Sequence, residues 1–181
     1  KGRYLISATF RADGSSKFAQ GNRWGYFPSA AIAWRISEEN FMKGISFINN
    51  LKVRFSYGTA GNNNIPANQI AQVFNSSATS YINNVMNYWS PSTTMANPEL
   101  KWETTYTRNA GLDFGFFRGT LYGAFELYYN TTKDLLINFP VSGTGYSTQY
   151  RNMGETENRG LELSLNWVAA NKPKYGLTMG F

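Results

Sequence analysis

At 181 residues the chain is long enough for one domain with a sizeable core. It holds no Cys and no His, which excludes disulfide frameworks, Cys/His zinc sites and catalysis by a His base or a Cys nucleophile. Its formal charge of +6 comes from Lys and Arg scattered singly, without the basic run or stripe of a nucleic-acid partner, and 17% aromatics outnumber 15% charged residues.

Taken in chain order, the segments alternate with period two, the mark of strands with two unlike faces. Tyr4, Ile6, Ala8 and Phe10 share one face, opposite Ser7, Thr9 and Arg11. A polar connection, "DGSSKFAQGN", follows. Tyr26, Ala30, Ile32, Trp34 and Ile36 then oppose Ser29, Ala31, Ala33 and Arg35. The stretch "SEENFMKGISFINN" reads as a compact connection with one short helical turn, capped by Ser37 with Glu38 and Glu39 in its first turn. "LKVRFSYGT" sets Leu51, Val53, Phe55 and Tyr57 against Lys52, Arg54, Ser56 and Gly58. After a long interval, Trp102, Tyr106, Ala110, Leu112 and Phe114 oppose Glu103, Thr105, Thr107, Asn109 and Asp113, with Arg108 an exception on the apolar side. A tight "FFRG" leads to Leu121, Phe125, Leu127 and Tyr129 against Thr120 and Glu126. Leu161, Leu163, Leu165 and Trp167 oppose Glu162, Ser164 and Asn166, and Tyr175, Leu177, Met179 and Phe181 line the last segment.

The pattern predicts an all-β chain of about seven antiparallel strands, most of roughly 9–13 residues, which is the length a tilted membrane-spanning barrel strand needs. No apolar run reaches the ~18 residues of a transmembrane helix. The connections alternate long and short, and one loop, Gly61 to Leu100, runs about forty residues, longer than compact soluble domains carry. Long outer loops and short inner turns describe an outer-membrane barrel. The aromatics fall into two belts at the strand ends, where rings with an apolar body and a polar edge suit a membrane–water interface. The interface candidates are Trp24, Tyr26, Trp34, Trp102, Tyr106, Phe114, Tyr129 and Trp167. The candidate lumen-facing charges are Arg35, Lys52, Arg54, Glu103, Asp113, Glu126 and Glu162, where cross-strand pairing and contacts to a plug are the leading reading. A transmembrane sheet must close, so both ends are expected to continue into a larger barrel.

The stretches "RADGSSKF", "NRWGYFPSAAIAWRISEENF", "INNLKVRFSYGTAGNNNI", "NPELKWETTYTRNAGLDFGFF", "YYNTTKDLL" and "NMGETENRGLELSLNW" occur in an order and spacing that resembles the barrel domain of SusC/RagA-like TonB-dependent transporters. The interval from Ala67 to Met95 carries none of that resemblance. The resemblance implies residues 1–181 as part of one 22-stranded transmembrane β-barrel in a Gram-negative outer membrane. The plug domain, the TonB-contacting segment and the C-terminal strand are expected outside this chain. It further implies uptake of large nutrients, oligosaccharides or peptides. The expected partners are outer-membrane lipid, the TonB energy-coupling complex reached through the missing N-terminal part, and a SusD-like surface lipoprotein. No cofactor, metal or nucleic acid is expected.

On the longest loop, Tyr81, Asn83, Asn84, Asn87, Tyr88 and Trp89 could contact a ligand, with rings to stack on a sugar and amides to take its hydroxyls; packing of the loop on itself or on a partner is the alternative. "GNNNIP" reads as a turn rather than a sugar site, because Asn and Gly tolerate left-handed backbone. Glu38 with Glu39, and Glu155 with Glu157, lack the apolar surroundings that tune one carboxyl of a glycosidase pair, so no enzyme is expected. "GTGYSTQYRNMG" misplaces the third glycine of a dinucleotide fingerprint. The alternatives are a soluble carbohydrate-binding or adhesive β-sandwich and a passive porin.

Overall fold

The computed structural model describes residues 2–77, 88–172 and 175–181. The strands in chain order are β1 (Tyr4–Gly14), β2 (Trp24–Arg35), β3 (Ile48–Asn62), β4 (Phe74–Ser77), β5 (Tyr88–Pro91), β6 (Thr94–Met95), β7 (Glu103–Phe116), β8 (Leu121–Lys133), β9 (Leu136–Pro140), β10 (Thr148–Asn152), β11 (Glu155–Lys172) and β12 (Tyr175–Gly180). Seven of them form one antiparallel sheet in the order β1-β2-β3-β7-β8-β11-β12. Each strand of that sheet pairs with its sequence neighbour once the short outer strands are set aside, the up-and-down connectivity of a barrel wall.

The five strands β1, β2, β3, β7 and β8 run 11, 12, 15, 14 and 13 residues, and β11 runs 18. Register follows the alternation seen in the sequence. Ile6 pairs with Ile32, Ile32 with Phe55, Phe55 with Ala110, Ala110 with Leu127 and Leu127 with Leu161, so one apolar row crosses six strands on one face. On the other face Ala33, Arg54, Gly111, Glu126 and Glu162 form a row in the same way. A slip of one residue would exchange the two faces. The apolar face is open: Ile6 is 80% exposed and Leu161 67%. A β-sandwich would cover this face with a second sheet at ~10 Å, and among the described residues no such sheet is present.

The connections differ sharply at the two ends. At one end residues 36–47 hold two short 3-10 turns, Ile36–Glu38 and Asn40–Met42, where the sequence predicts one capped turn. Ser37 lies inside the first of them, and the residue before that turn, Arg35, makes no side-chain cap bond. Phe117 to Gly119 close β7 on β8, with Gly119 at a φ of +84° that suits a residue without Cβ. At the other end the three long connections fold together. There β6, β10 and β9 form a second sheet and β4 pairs with β5 as a ribbon. The buried hydrophobic cluster sits here and not in the large sheet: Phe18, Ile65 and Leu100, with Ile70, Trp102, Leu136 and Tyr150 packed against it.

Candidate functional site

The charged face of the large sheet carries a ladder of ions across three strands. Lys52 Nζ lies 2.6 Å from Asp113 Oδ2, its direct cross-strand partner. Arg54 Nε donates to Asp113 Oδ1 at 3.2 Å, and its guanidinium also binds the Glu126 carboxylate on β8. Arg54 must cross β7 to reach Glu126, and Gly111 makes that possible: it lies between the two in register, and a Cβ there would stand 2.8 Å from Arg54 Cζ. Cations occupy the β2–β3 side of the ladder (Arg35, Lys52, Arg54) and carboxylates the β7–β11 side (Asp113, Glu126, Glu162). Glu162 stands directly opposite Glu126, and among the described residues no cation lies within ion-pair distance of it. Arg35 faces the like-charged Lys52 and turns instead to Glu38 at 3.7 Å.

Glu103, expected in this ladder, belongs elsewhere. Its carboxylate accepts from Asn62 Nδ2 and from the Leu136 backbone N–H, both at 3.0 Å, and so ties β3 and β9 to the start of β7. The reason is position: it is the first residue of β7, at the end where the long connections gather.

Those connections form an outer cap joined by side-chain amides. Asn22 Nδ2 donates to the Glu99 and Leu100 carbonyls, Asn97 Nδ2 to Tyr150 O at 2.8 Å, and Asn152 Nδ2 to both Lys101 O and Asp134 O at 2.9 Å. In "GNNNIP", Asn62 Oδ1 accepts from the Asn64 N–H, Asn63 Nδ2 donates to Ser15 Oγ, and Ile65 is 3% exposed, so this segment is a turn that inserts a core residue. The proposed loop contacts Tyr81, Asn83, Asn84 and Asn87 lie outside the described residues. Tyr88 begins β5, and Trp89 on the same strand is 71% exposed. Pairing of Ser76 with Trp89 and Phe74 with Pro91 places Phe74 on the face of the ribbon that carries Trp89. Sequence reading misses Phe74 because it follows Val73 inside the long connection, where no strand alternation marks its face.

The aromatic belts divide in two ways. Tyr26 stacks on Phe10 at 6.0 Å, Trp24 and Trp167 are exposed, and Tyr106 and Phe114 lie half-buried on the apolar face. At the short-turn end Phe114, Phe116, Phe117 and Phe47 adjoin one another with ring centroids 5.6–6.4 Å apart. Trp34 stacks on Tyr4, and both polar tips reach Glu39: Trp34 Nε1–H donates to Oε1 at 3.1 Å and Tyr4 O–H donates to Oε1 at 2.9 Å. Arg3 adds an ion pair to the same carboxylate at 3.1 Å. The hydrogen bond from Trp34, then that from Tyr4, holds the Glu39 carboxyl below its ordinary value. Trp102 departs from its expected place on the membrane face. Its ring packs 5.4 Å from Phe18 and 5.5 Å from Phe27, and its indole N–H donates to Arg23 O at 3.1 Å. It precedes the first residue of β7, so the alternation that fixes the strand does not govern it.

An up-and-down sheet of long strands, apolar on one face and ion-paired on the other, with all long connections at one end, defines the wall of a large membrane β-barrel. Over residues 1–181 the chain matches the family described as TonB dependent receptor-like, beta-barrel, and it belongs to that family. It is 42% identical over 170 residues to TonB-dependent receptor SusC of Bacteroides thetaiotaomicron, covering 91% of this chain and 17% of that protein. It is 38% identical over 182 residues to TonB-dependent receptor P39 of Formosa agariphila, covering 100% of this chain and 17% of that protein. Its fold matches the RagAB peptide importer in the closed-closed state with a TM-score of 0.87 at 29% identity, covering 98% of this chain and 19% of that one. The chain thus spans about a sixth of the length of these relatives. They are receptors and importers, not enzymes.

Proposed function

We propose that the protein containing this chain imports large nutrients, oligosaccharides or peptides, through the outer membrane of a Gram-negative bacterium. The single observation that carries this is the unlike pair of faces on one sheet: an uncovered apolar row from Ile6 to Leu161 backed by the ion ladder from Lys52 to Glu126. Lipid covers the first and an aqueous, plugged lumen bathes the second. The open edges of β1 and β12 pair with further strands of the barrel, because unpaired backbone groups are not tolerated in hydrocarbon. Energy comes from the TonB complex through a plug and TonB-contacting segment supplied by the rest of the protein, and a SusD-like lipoprotein covers the outer mouth. Glu162 is suited to meet a cation of the plug, since its described neighbours on the wall leave it unpaired. Trp89 and Phe74, exposed on the outer ribbon, are suited to contact the substrate or the lipoprotein.

Deletion of the full-length gene tests this. Growth of the deletion strain on a panel of defined oligosaccharides and peptides is compared with growth of the parent. Loss of growth on one class, with growth on its monomers intact, supports import and names the substrate class. Unchanged growth throughout, together with recovery of the protein outside the outer-membrane fraction, removes the reading.

A further inference from the structure

Arg108 breaks the alternation of β7. It pairs in register with Tyr57 and Tyr129, both on the apolar face, so its side chain leaves the sheet toward lipid. Tyr129 pairs in turn with Arg159, which is also exposed. Three adjacent strands therefore present Arg, Tyr, Arg side by side on the membrane face. The Arg108 guanidinium lies over the Tyr129 ring at 5.2 Å, and its Nη1 donates to Thr131 Oγ1, two residues nearer the outer end of β8. Among the described residues neither arginine has a carboxylate within ion-pair distance; the nearby Glu157, two residues from Arg159 on the same face of β11, accepts instead from the Tyr129 hydroxyl, which leaves the row a net positive charge. A cation on a lipid-facing wall is costly unless it reaches the interface and finds an anion.

Below this row the wall is hollow. A shallow depression of 570 Å³ is lined on the apolar face by Ala30, Ile32, Phe55, Tyr57, Ala110 and Leu127, with Arg108 and Tyr129 at its outer margin. The small side chains of Ala30 and Ala110 leave the space. Depth agrees with a headgroup above and a chain below. Roughly 27 Å of strand separates Arg159 from Trp167 at ~3.3–3.4 Å per residue, which at a tilt of ~35–45° rises ~19–22 Å; with Trp167 at the inner edge of an apolar band ~25 Å tall, Arg159 lies a few ångströms inside the outer edge, within reach of the interface for its long side chain. Only Leu161, Leu163 and Leu165 face outward in that interval.

We propose that this is a binding site for a phosphorylated glycolipid of the outer leaflet, its phosphate held by Arg108 and Arg159 and one acyl chain lying in the depression. Two guanidinium groups flanking one strand match a phosphate through charge-assisted, bidentate hydrogen bonds. The inference rests on the barrel reading above, with the long connections outside.

The test uses the full-length transporter in mild detergent, with native mass spectrometry after adding a bisphosphorylated, hexa-acylated glucosamine disaccharide lipid or its dephosphorylated form. The wild type is expected to prefer the bisphosphorylated lipid by ~10-fold or more. Arg108→Gln/Arg159→Gln loses that preference, and Arg108→Lys/Arg159→Lys keeps most of it. Ala110→Phe fills the depression and weakens both lipids while leaving the preference. Should the double Gln variant fail to form a heat-modifiable barrel, Arg159→Gln alone serves. Equal binding of the two lipids by wild type, an undiminished preference in the Gln variant, no effect of Ala110→Phe, or displacement of the lipid by millimolar inorganic phosphate each overturns the site. Growth is not the readout, so its failure leaves the transport reading standing; absence of the protein from the outer-membrane fraction removes both.

Discussion

The outer cap and the large sheet bury their apolar side chains against different solvents. In the cap, Phe18 and Leu100 are 0% exposed, packed by other parts of the same chain. In the sheet, Ile6, Ile32, Leu161 and Leu163 are all at least half exposed, and in the proposed barrel it is lipid that buries them. A side chain in the cap therefore depends on its neighbours' shapes, whereas a side chain on the sheet depends on depth in the bilayer. The same kind of residue fails in different ways in the two regions.

The sharpest way to separate them is a cavity in the cap. Phe18→Ala in the full-length transporter removes a ring that touches Trp102 and anchors the β1–β2 connection. Loss of a buried Phe costs about 3–5 kcal/mol. The expected outcome is protease cleavage within the outer connections while the barrel keeps its heat-modifiable mobility. Barrel loss in parallel with cap loss would show that the two regions fold as one unit. Next in size is a charge on the membrane face. Leu163→Arg, near the middle of the Leu161–Leu165 row, is expected to cost about 2–4 kcal/mol and to reduce barrel assembly in the outer membrane. Glu162→Gln, one residue away on the other face, should leave assembly unchanged. Equal assembly of the two variants would break the distinction between faces.

Sequence pattern carries the sheet and not the cap, for a physical reason. A strand with two unlike faces writes its orientation into every second residue, so Leu51, Val53, Phe55 and Tyr57 are legible without any knowledge of their partners. The cap core is written nowhere locally. Phe18 sits in "DGSSKFAQGN", Ile65 in "GNNNIP" and Tyr150 in a Gly/Ser/Thr-rich stretch, each a lone apolar residue among polar ones. Only the closure of three hairpins at one end brings them together. The ion ladder lies between these cases. Its members are identifiable by face, but Arg54 reaching Glu126 depends on Gly111, whose role is visible only in register. Arg108 breaks the pattern and is not explained by it; the rings of Tyr57 and Tyr129 beside it and Thr131 beyond it show how the wall accommodates the charge.

The ladder itself offers a smaller effect. Its ions are partly exposed, so each pair is expected to contribute about 0.2–1 kcal/mol. Gly111→Ala pushes the flexible Arg54 guanidinium off its path and should uncouple Arg54 from Glu126 without loss of assembly. A double-mutant cycle between Arg54→Ala and Glu126→Gln is read as urea-induced unfolding of the full-length barrel in detergent. It is expected to give a measurable coupling when Gly111 is retained and none when the cycle is repeated in the Gly111→Ala background. An unchanged coupling would mean that Arg54 reaches Glu126 by another route.

The smallest effect concerns the end of the sheet opposite the cap, and its sign follows from linkage. Glu39 has its carboxyl held below the ordinary 4.5 by hydrogen bonds from Trp34 and Tyr4, with the Arg3 charge adding to them and burial opposing. A carboxylate whose folded value is depressed favours the folded state fully above its unfolded value, and that contribution disappears as pH falls through the folded value. At neutral pH Glu39 is therefore expected to hold the tips of Tyr4 and Trp34 at the short-turn interface, and acidification below the ordinary carboxylate range to release them. Tryptophan fluorescence of the full-length barrel would contain a transition in that acidic window that is absent from Glu39→Gln, whose neutral amide still accepts a hydrogen bond but no longer titrates. A transition that persists in Glu39→Gln assigns it to another carboxylate, and the belt at this end would then be held by ring packing alone.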